Sequence, residues 1–359
     1  MHTKFRPSYG YSIVTAVFLG LIGWPMLLSA QASDMEAATA ALEWREVGPT
    51  IMGGRVADIA AVESNPSIFY VATAHGGLWK TINAGTSFEP MFDDQPTPSI
   101  GDVTIAPSNP NVVWVGSGEP QNRQSSPWGM GVFRSTDAGV TWNHLGLEET
   151  QAIGRIQVHP RNPDVAYVAA VGHLWGPNPE RGVYRTTDGG ETWDHVLFID
   201  EHTGAIDLAM DPGDPKTLFA AMYQRQRTLW GFNGGGPGSG IYRTTDGGDN
   251  WAEMTDGLPT GDKGRIGLDI YRRDGNLVYA IVEADARVPG GGRFSDSAPD
   301  RESGVYRSDD RGLSWTLVNT TNSRPMYYSH IRIDPNDPER IYLGGTQAYR
   351  SSDGGNTFT

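Results

Sequence analysis

Acid–base chemistry needs carboxylates, and three stand where the chain could use them: Glu119, Asp102 and Asp207. Pairs such as Asp102 with Asp207, or Glu119 with Glu283, are the side-chain type a glycosidase places on either side of a scissile bond. A second group suits recognition. Trp128, Trp175 and Trp230 accompany Arg227, His173 and Glu283, with Asn122, Arg123, Arg225, Phe232, Asp285 and Arg287 in the same stretches. Indoles beside polar groups can stack on sugar rings or anchor a protein partner; the alternative is that they fold back and pin their own loops. The eight His residues show no H-E-x-x-H spacing, there is no Cys, and no G-x-S-x-G elbow occurs. A zinc hydrolase, thiol chemistry and a serine hydrolase are therefore not expected, and neither a metal nor a cofactor is. The run Gly234-Gly235-Gly236-Pro237-Gly238 lacks the lysine and spacing of a phosphate cradle and reads as a flexible loop.

These residues are positioned by a repeat. The frame Ser/Thr-x-Asp-x-Gly-x-Ser/Thr-Trp runs from Ser135 to Trp142 and from Ser308 to Trp315, with close copies at Thr186–Trp193 and Thr244–Trp251 and looser ones at Thr81–Phe88 and Ser351–Phe358. Its acidic position is filled by Asn83, Asp137, Asp188, Asp246, Asp310 and Asp353. In each copy the carboxylate can accept backbone N–H groups of a tight turn while Gly supplies positive φ, so these six are structural. A second register runs through Tyr70, Trp114, Tyr167, Phe219, Tyr279 and Tyr342, each preceded by a turn pair such as Asn65-Pro66 or Asn162-Pro163. Eleven residues before each aromatic lies an apolar residue, and twelve before lie Asp58, Asp102, Arg155, Asp207, Gly267 and His330. Each unit reads as strand a, turn, strand b, variable loop, strand c, box turn, strand d. The fold class is all-β: a β-propeller of four-stranded antiparallel blades, six of them visible. The blades run near 55–91, 101–145, 154–197, 205–254, 264–318 and 330–359. Strand a is innermost, so Asp58, Asp102, Arg155, Asp207 and His330 are expected to ring the central channel. The long b–c loops all leave on one face, which is where a ligand would bind.

The ends carry further expectations. Lys4 and Arg6, the apolar run 13–28 and Ala30-Gln31-Ala32 read as a signal peptide over residues 1–32, leaving a segment 33–54 and the propeller 55–359. Export places the protein outside the cytoplasm, periplasmic or secreted, with no membrane insertion once the signal is removed. The net charge of −14 becomes −16 without Lys4 and Arg6, which disfavours nucleic acid and anionic lipid. Glu43-Trp44-Arg45-Glu46-Val47 resembles a strand d and is expected to close a ring. Blade six stops inside its own strand d, so the chain reads as a fragment of a larger propeller protein of seven or more blades, with a six-bladed ring capped by the Trp44 strand as the alternative. Oligomeric state is not encoded in any of these patterns.

The box repeats resemble Asp-box, or bacterial-neuraminidase, repeats. With Gly53-Gly54-Arg55-Val56, Gly76-Gly77-Leu78-Trp79-Lys80-Thr81 and Gly116-Ser117-Gly118-Glu119, the chain is similar to exported bacterial propellers described as sortilin N-terminal-like or glycosyl hydrolase. The resemblance extends in outline to two-propeller xyloglucan-cleaving enzymes. Their catalytic Asp lies in a Thr-Asp-x-Gly-Gly segment; the matching residues are Thr73-Ala74-His75-Gly76-Gly77, with Ala74 in the Asp position. Sialidases share the boxes and use three arginines with a Tyr/Glu pair. Arg55, Arg155 and Arg265 precede strands a in alternate blades, with Tyr327 and Tyr328 near, but only Arg155 falls at the ring position. The expected function is binding of a glycan or protein ligand on the long-loop face; the alternative is a glycoside hydrolase whose catalytic set is incomplete in this chain.

Overall fold

The structure is a computed structural model and describes residues 54–123, 125–284 and 302–359. The signal segment, the Trp44 strand, Asp285 and Arg287 lie outside the described residues. The chain folds into six antiparallel sheets in sequence order, each a meander. The first holds Val56–Ala61, Phe69–Thr73, Leu78–Thr81 and Glu89–Pro90; the second Ile100–Ile105, Val113–Ser117, Val132–Ser135 and Asn143–His144; the third Ile153–Val158, Ala166–Ala170, Gly182–Thr186 and Asp194–Leu197. The fourth holds Thr203–Met210, Leu218–Thr228, Gly240–Thr244 and Ala252–Met254, and the fifth Lys263–Ile270, Val278–Ala284, Gly304–Ser308 and Thr316–Asn319. The sixth has three strands, His330–Asp334, Asp337–Gly344 and Ala348–Ser351, and Thr359 exchanges backbone hydrogen bonds with Arg350. Among the described residues the one helical turn is 3-10, Glu148–Thr150.

The box turn forms as its residue types require. Asp137 Oδ1 accepts the Ser135 hydroxyl at 2.7 Å and the Thr141 N–H at 2.9 Å, and Oδ2 accepts the Thr141 hydroxyl at 2.6 Å. Asp188, Asp246, Asp310 and Asp353 repeat this pattern, and Asn83 accepts the Ser87 N–H at 3.0 Å. Gly139, at φ +91°, supplies the left-handed step. The Arg or Lys after each strand-c aromatic then reaches the next sheet. Lys80 donates to the Ala138 carbonyl, Arg134 to Gly189, Arg185 to Gly247 and Arg243 to Arg311. The strand-b tyrosines do the same: Tyr70 donates to Ala138, Tyr167 to Gly247 and Tyr279 to Gly354. Each box turn is thus both a hairpin and an anchor for its neighbour.

Five apolar clusters fill the five interfaces between consecutive sheets. Tyr70, Val103 and Phe133 lie between the first two; Trp114, Ile156 and Val168 between the second and third; Tyr167, Leu208 and Met222 between the third and fourth. Phe219, Leu268 and Val282 join the fourth to the fifth, and Tyr279, Ile331 and Ile341 the fifth to the sixth. Among the described residues no cluster joins the sixth sheet to the first. Val56, Ile59 and Tyr342 are exposed on the facing sides.

Candidate binding face

Strand a sets the inside of the molecule. In each of the first four sheets a register shift interrupts strand a just before the ring position, at Val56/Asp58, Ile100/Asp102, beside Ile153/Arg155 and at Ala205/Asp207. A bulge re-aims the next side chain, here toward the axis. Asp58, Asp102, Arg155 and Asp207 duly meet. The Arg155 guanidinium lies 2.8 Å from Asp102, 3.0 Å from Asp207 and 3.4 Å from Asp58. Asp102 also accepts the Ile156 N–H at 2.9 Å, and Asp207 the Leu268 N–H at 3.0 Å. Burial pushes Asp102 up to about 7 against the opposing pull of Arg155. Asp207 is buried too, but Arg155 and Arg332 hold its pKa below the usual range. His330, at the sixth ring position, is held neutral by burial and by Arg265, Arg332 and Arg155. The ring is a closed charge network. Below it a cavity of about 560 Å³ opens among the a–b turns, lined by Asp58, Glu63, Thr104, Arg155, Gln157 and Arg332. A further space of about 280 Å³ shares Gln157 and Arg332 with it.

On the opposite face the b–c loop of the second sheet crosses the channel. Pro120, Gln121 and Asn122 are buried. Asn122 donates to the Tyr223 hydroxyl of the fourth sheet and to the Met326 carbonyl ahead of the sixth. Arg225 donates to the Pro120 carbonyl at 2.7 Å and to Asn122 Oδ1 at 3.0 Å. Burial lowers Arg225 to about 9. Glu119, just before this plug, is buried; both its oxygens are taken by Arg55, whose Nη2 also meets His75 Nε2 at 2.9 Å. Glu283 is buried and accepts the Arg265 N–H at 2.9 Å. The carboxylates picked out from the sequence for acid–base work therefore sit in two places. Asp102 and Asp207 are committed to Arg155 inside the channel, and Glu119 to Arg55 at its rim.

The indoles are placed differently. Trp128 is 69%, Trp175 50% and Trp230 88% exposed, all on b–c connections. They do not fold back onto their loops. Trp230 sits at the tip of a ribbon in which Arg225–Thr228 pair with Gly231–Gly234, and the Arg227 guanidinium lies 5.5 Å from the Phe232 ring centroid. The Arg227 N–H donates to the Leu174 carbonyl at 2.7 Å, tying this ribbon to the Trp175 loop. His173 is half-buried and its Nε2 lies 3.0 Å from the Glu149 carbonyl. The glycine run expected to be flexible is instead bonded: Gly236 N–H to the Lys263 carbonyl and Gly238 N–H to Gln224 Oε1. Gly in those positions is required by close approach, since a Cβ on Gly238 would stand 2.1 Å from the Thr203 hydroxyl.

Known proteins share this architecture. Residues 130–269 match the family model described as Sortilin-Vps10 (Sortilin, neurotensin receptor 3). The chain is 25% identical over 350 residues to a xyloglucanase of Paenibacillus sp, covering 88% of this chain and 32% of that protein. Among solved structures it is similar to the GH74 xyloglucanase from Xanthomonas campestris, with TM-score 0.60, 16% identity, 84% of this chain and 45% of that one covered. The fold is a β-propeller. This propeller also superimposes on YCF48 bound to D1 peptide, with TM-score 0.52, 14% identity and 89% and 86% of the two chains covered. The chain spans about a third of the length of the Paenibacillus relative.

Proposed function

We propose that the chain is an exported propeller that binds a glycan on its long-loop face, with Trp128, Trp175 and Trp230 as stacking platforms. The carrying observation is that three indoles from successive sheets are half or more exposed on one face, while the loops bearing them are bonded to the scaffold. An exposed large aromatic on a rigid loop has apolar area to gain and little ordering entropy to lose on meeting a sugar ring. The polysaccharide-cleaving relatives support a carbohydrate over a peptide as the ligand. Arg227 and His173 lie on the same connections and would supply polar contacts around the platforms, whereas Glu283, expected to join them, is buried against the Arg265 N–H.

A glycan array followed by titration calorimetry tests this. Trp175→Ala and Trp230→Ala should each weaken the best glycan about tenfold or more, the range for truncating a buried aromatic anchor. Unchanged affinity in the triple Trp→Ala protein, with native circular dichroism, would refute the reading. A second reading is a glycoside hydrolase with its catalytic set incomplete here, supported by the xyloglucanase relatives. Glu119, at the start of the b–c connection of the second sheet, is its acid candidate. Turnover of a xyloglucan substrate that Glu119→Gln abolishes would favour it; the arginine clamp on Glu119 and Ala74 at the relatives' Asp position weigh against it.

A further inference from the structure

The rim of the plug carries a cluster of arginines that neither the ring nor the platforms use. Arg123 and Arg324 both lie against the ring of Tyr327, 5.9 Å and 5.1 Å from its centroid. Both guanidiniums are exposed, and neither forms an ion pair among the described residues. Tyr327 is buried and packs edge-on against Tyr328 at 4.8 Å. The clamped Arg55–Glu119 pair lies on the other side, close enough for Tyr327 to act on the Arg55 guanidinium. With Arg55 neutralised by Glu119, two positive charges stand at one spot without a carboxylate partner among the described residues, on a chain whose net charge is −14.

Holding them there is unfavourable, and the backbone shows how it is done. Arg324 sits at φ +52°, a region that L side chains other than Gly, Asn and Asp seldom adopt. Its carbonyl accepts the N–H groups of Tyr327 at 3.1 Å and Tyr328 at 3.3 Å, which closes a turn that presents the Arg324 side chain over the ring. The Asn122 bond to the Met326 carbonyl fastens this turn to the loop bearing Arg123. A left-handed residue closes this turn as Arg311 does in a box turn, and the turn fixes where the Arg324 guanidinium is presented. Guanidinium groups offer paired donors that match a carboxylate, and Trp128 projects from the same loop as Arg123.

We propose that Arg123 and Arg324, stacked on Tyr327, form a subsite for a carboxylate carried on a sugar, so that the ligand is an acidic, uronate-bearing glycan. This rests on the glycan-binding reading and narrows it. The subsite is separate from Arg155 and Arg265, which are buried in the channel.

The test is calorimetry at low salt with three probes: a short oligogalacturonate, the same oligomer with its carboxylates reduced to alcohols, and a short oligoglutamate. The oligogalacturonate should bind about tenfold tighter than its reduced form and weaken as salt is raised. Arg324→Asn, which tolerates the left-handed backbone, and Arg123→Gln should each remove most of that advantage while leaving the reduced oligomer unaffected. Equal binding of the two oligomers, or an acidic preference that survives both substitutions, overturns the subsite; Trp-dependent binding of the reduced oligomer would then leave the wider glycan reading intact. Binding of oligoglutamate alone, or of none of the three, overturns both.

Discussion

At the scale of single residues, the polar interior decides how the protein responds to pH. Arg155 answers three carboxylates, so Arg155→Met should be among the most damaging single changes, costing about 3–5 kcal/mol because it strands buried charge. Urea denaturation would measure it. Asp102 behaves oppositely to the box aspartates. Its folded pKa is raised to about 7 by burial, above the unfolded value, so the folded state binds its proton more tightly and stability from this group rises as pH falls from about 7 toward about 4. Asp137, Asp188, Asp310 and Asp353 are lowered to about 2, led by the hydroxyl of the residue four positions on. Their contribution is complete above about 4 and disappears as pH drops through about 2. Buried His330 opposes the first trend, because below about 6.5 the unfolded chain takes up a proton that the folded state resists; the Asp102 part is therefore read as the difference in melting temperature between the wild type and Asp102→Asn, growing from about pH 7 toward about 4. The same substitution should leave the strong-acid fall in place.

At the scale of the element, the hairpin explains why so much was readable in the chain. Thr186, Asp188, Gly190 and Thr192 act on one another within one short turn, so their types and spacing carry it. The Thr186 hydroxyl donates to Asp188 and accepts the Gly190 N–H at 2.9 Å in a buried position. Thr186→Val should thus cost about 1–3 kcal/mol, seen as a lowered melting temperature. What sequence did not reveal is what the strand-c arginines do. Arg185 bonds Gly247 and Asp249, more than sixty positions away, and no local pattern names a partner in the next sheet. The same limit hid the Trp230 ribbon, because Gly231–Gly234 has the composition of a loop and becomes a strand only by pairing with Arg225–Thr228. The ring register was legible to the residue, since strand a repeats with a fixed offset. That Arg155 would gather Asp58, Asp102 and Asp207 was not, because the bulges that aim them leave no mark in the spacing.

For the whole molecule, the ring stands on five apolar interfaces, and the sixth-to-first boundary has none among the described residues. Among the described residues the third and fourth sheets are packed on both faces and the first on one. Hydrogen–deuterium exchange should find amides of Val56–Ala61 opening well before those of Thr203–Met210, where every residue is buried. Uniform protection across all six sheets would contradict it. The loop drawn across the axis by Asn122 has its own result. Among the described residues it lies across what a ring of sheets would leave as a tunnel, while the cavity beside Arg155 opens among the turns at the other end. A solute entering among the turns would meet Arg155 and its carboxylates from one side, and a glycan held by the indoles as proposed would lie on the other side of the crossing loop.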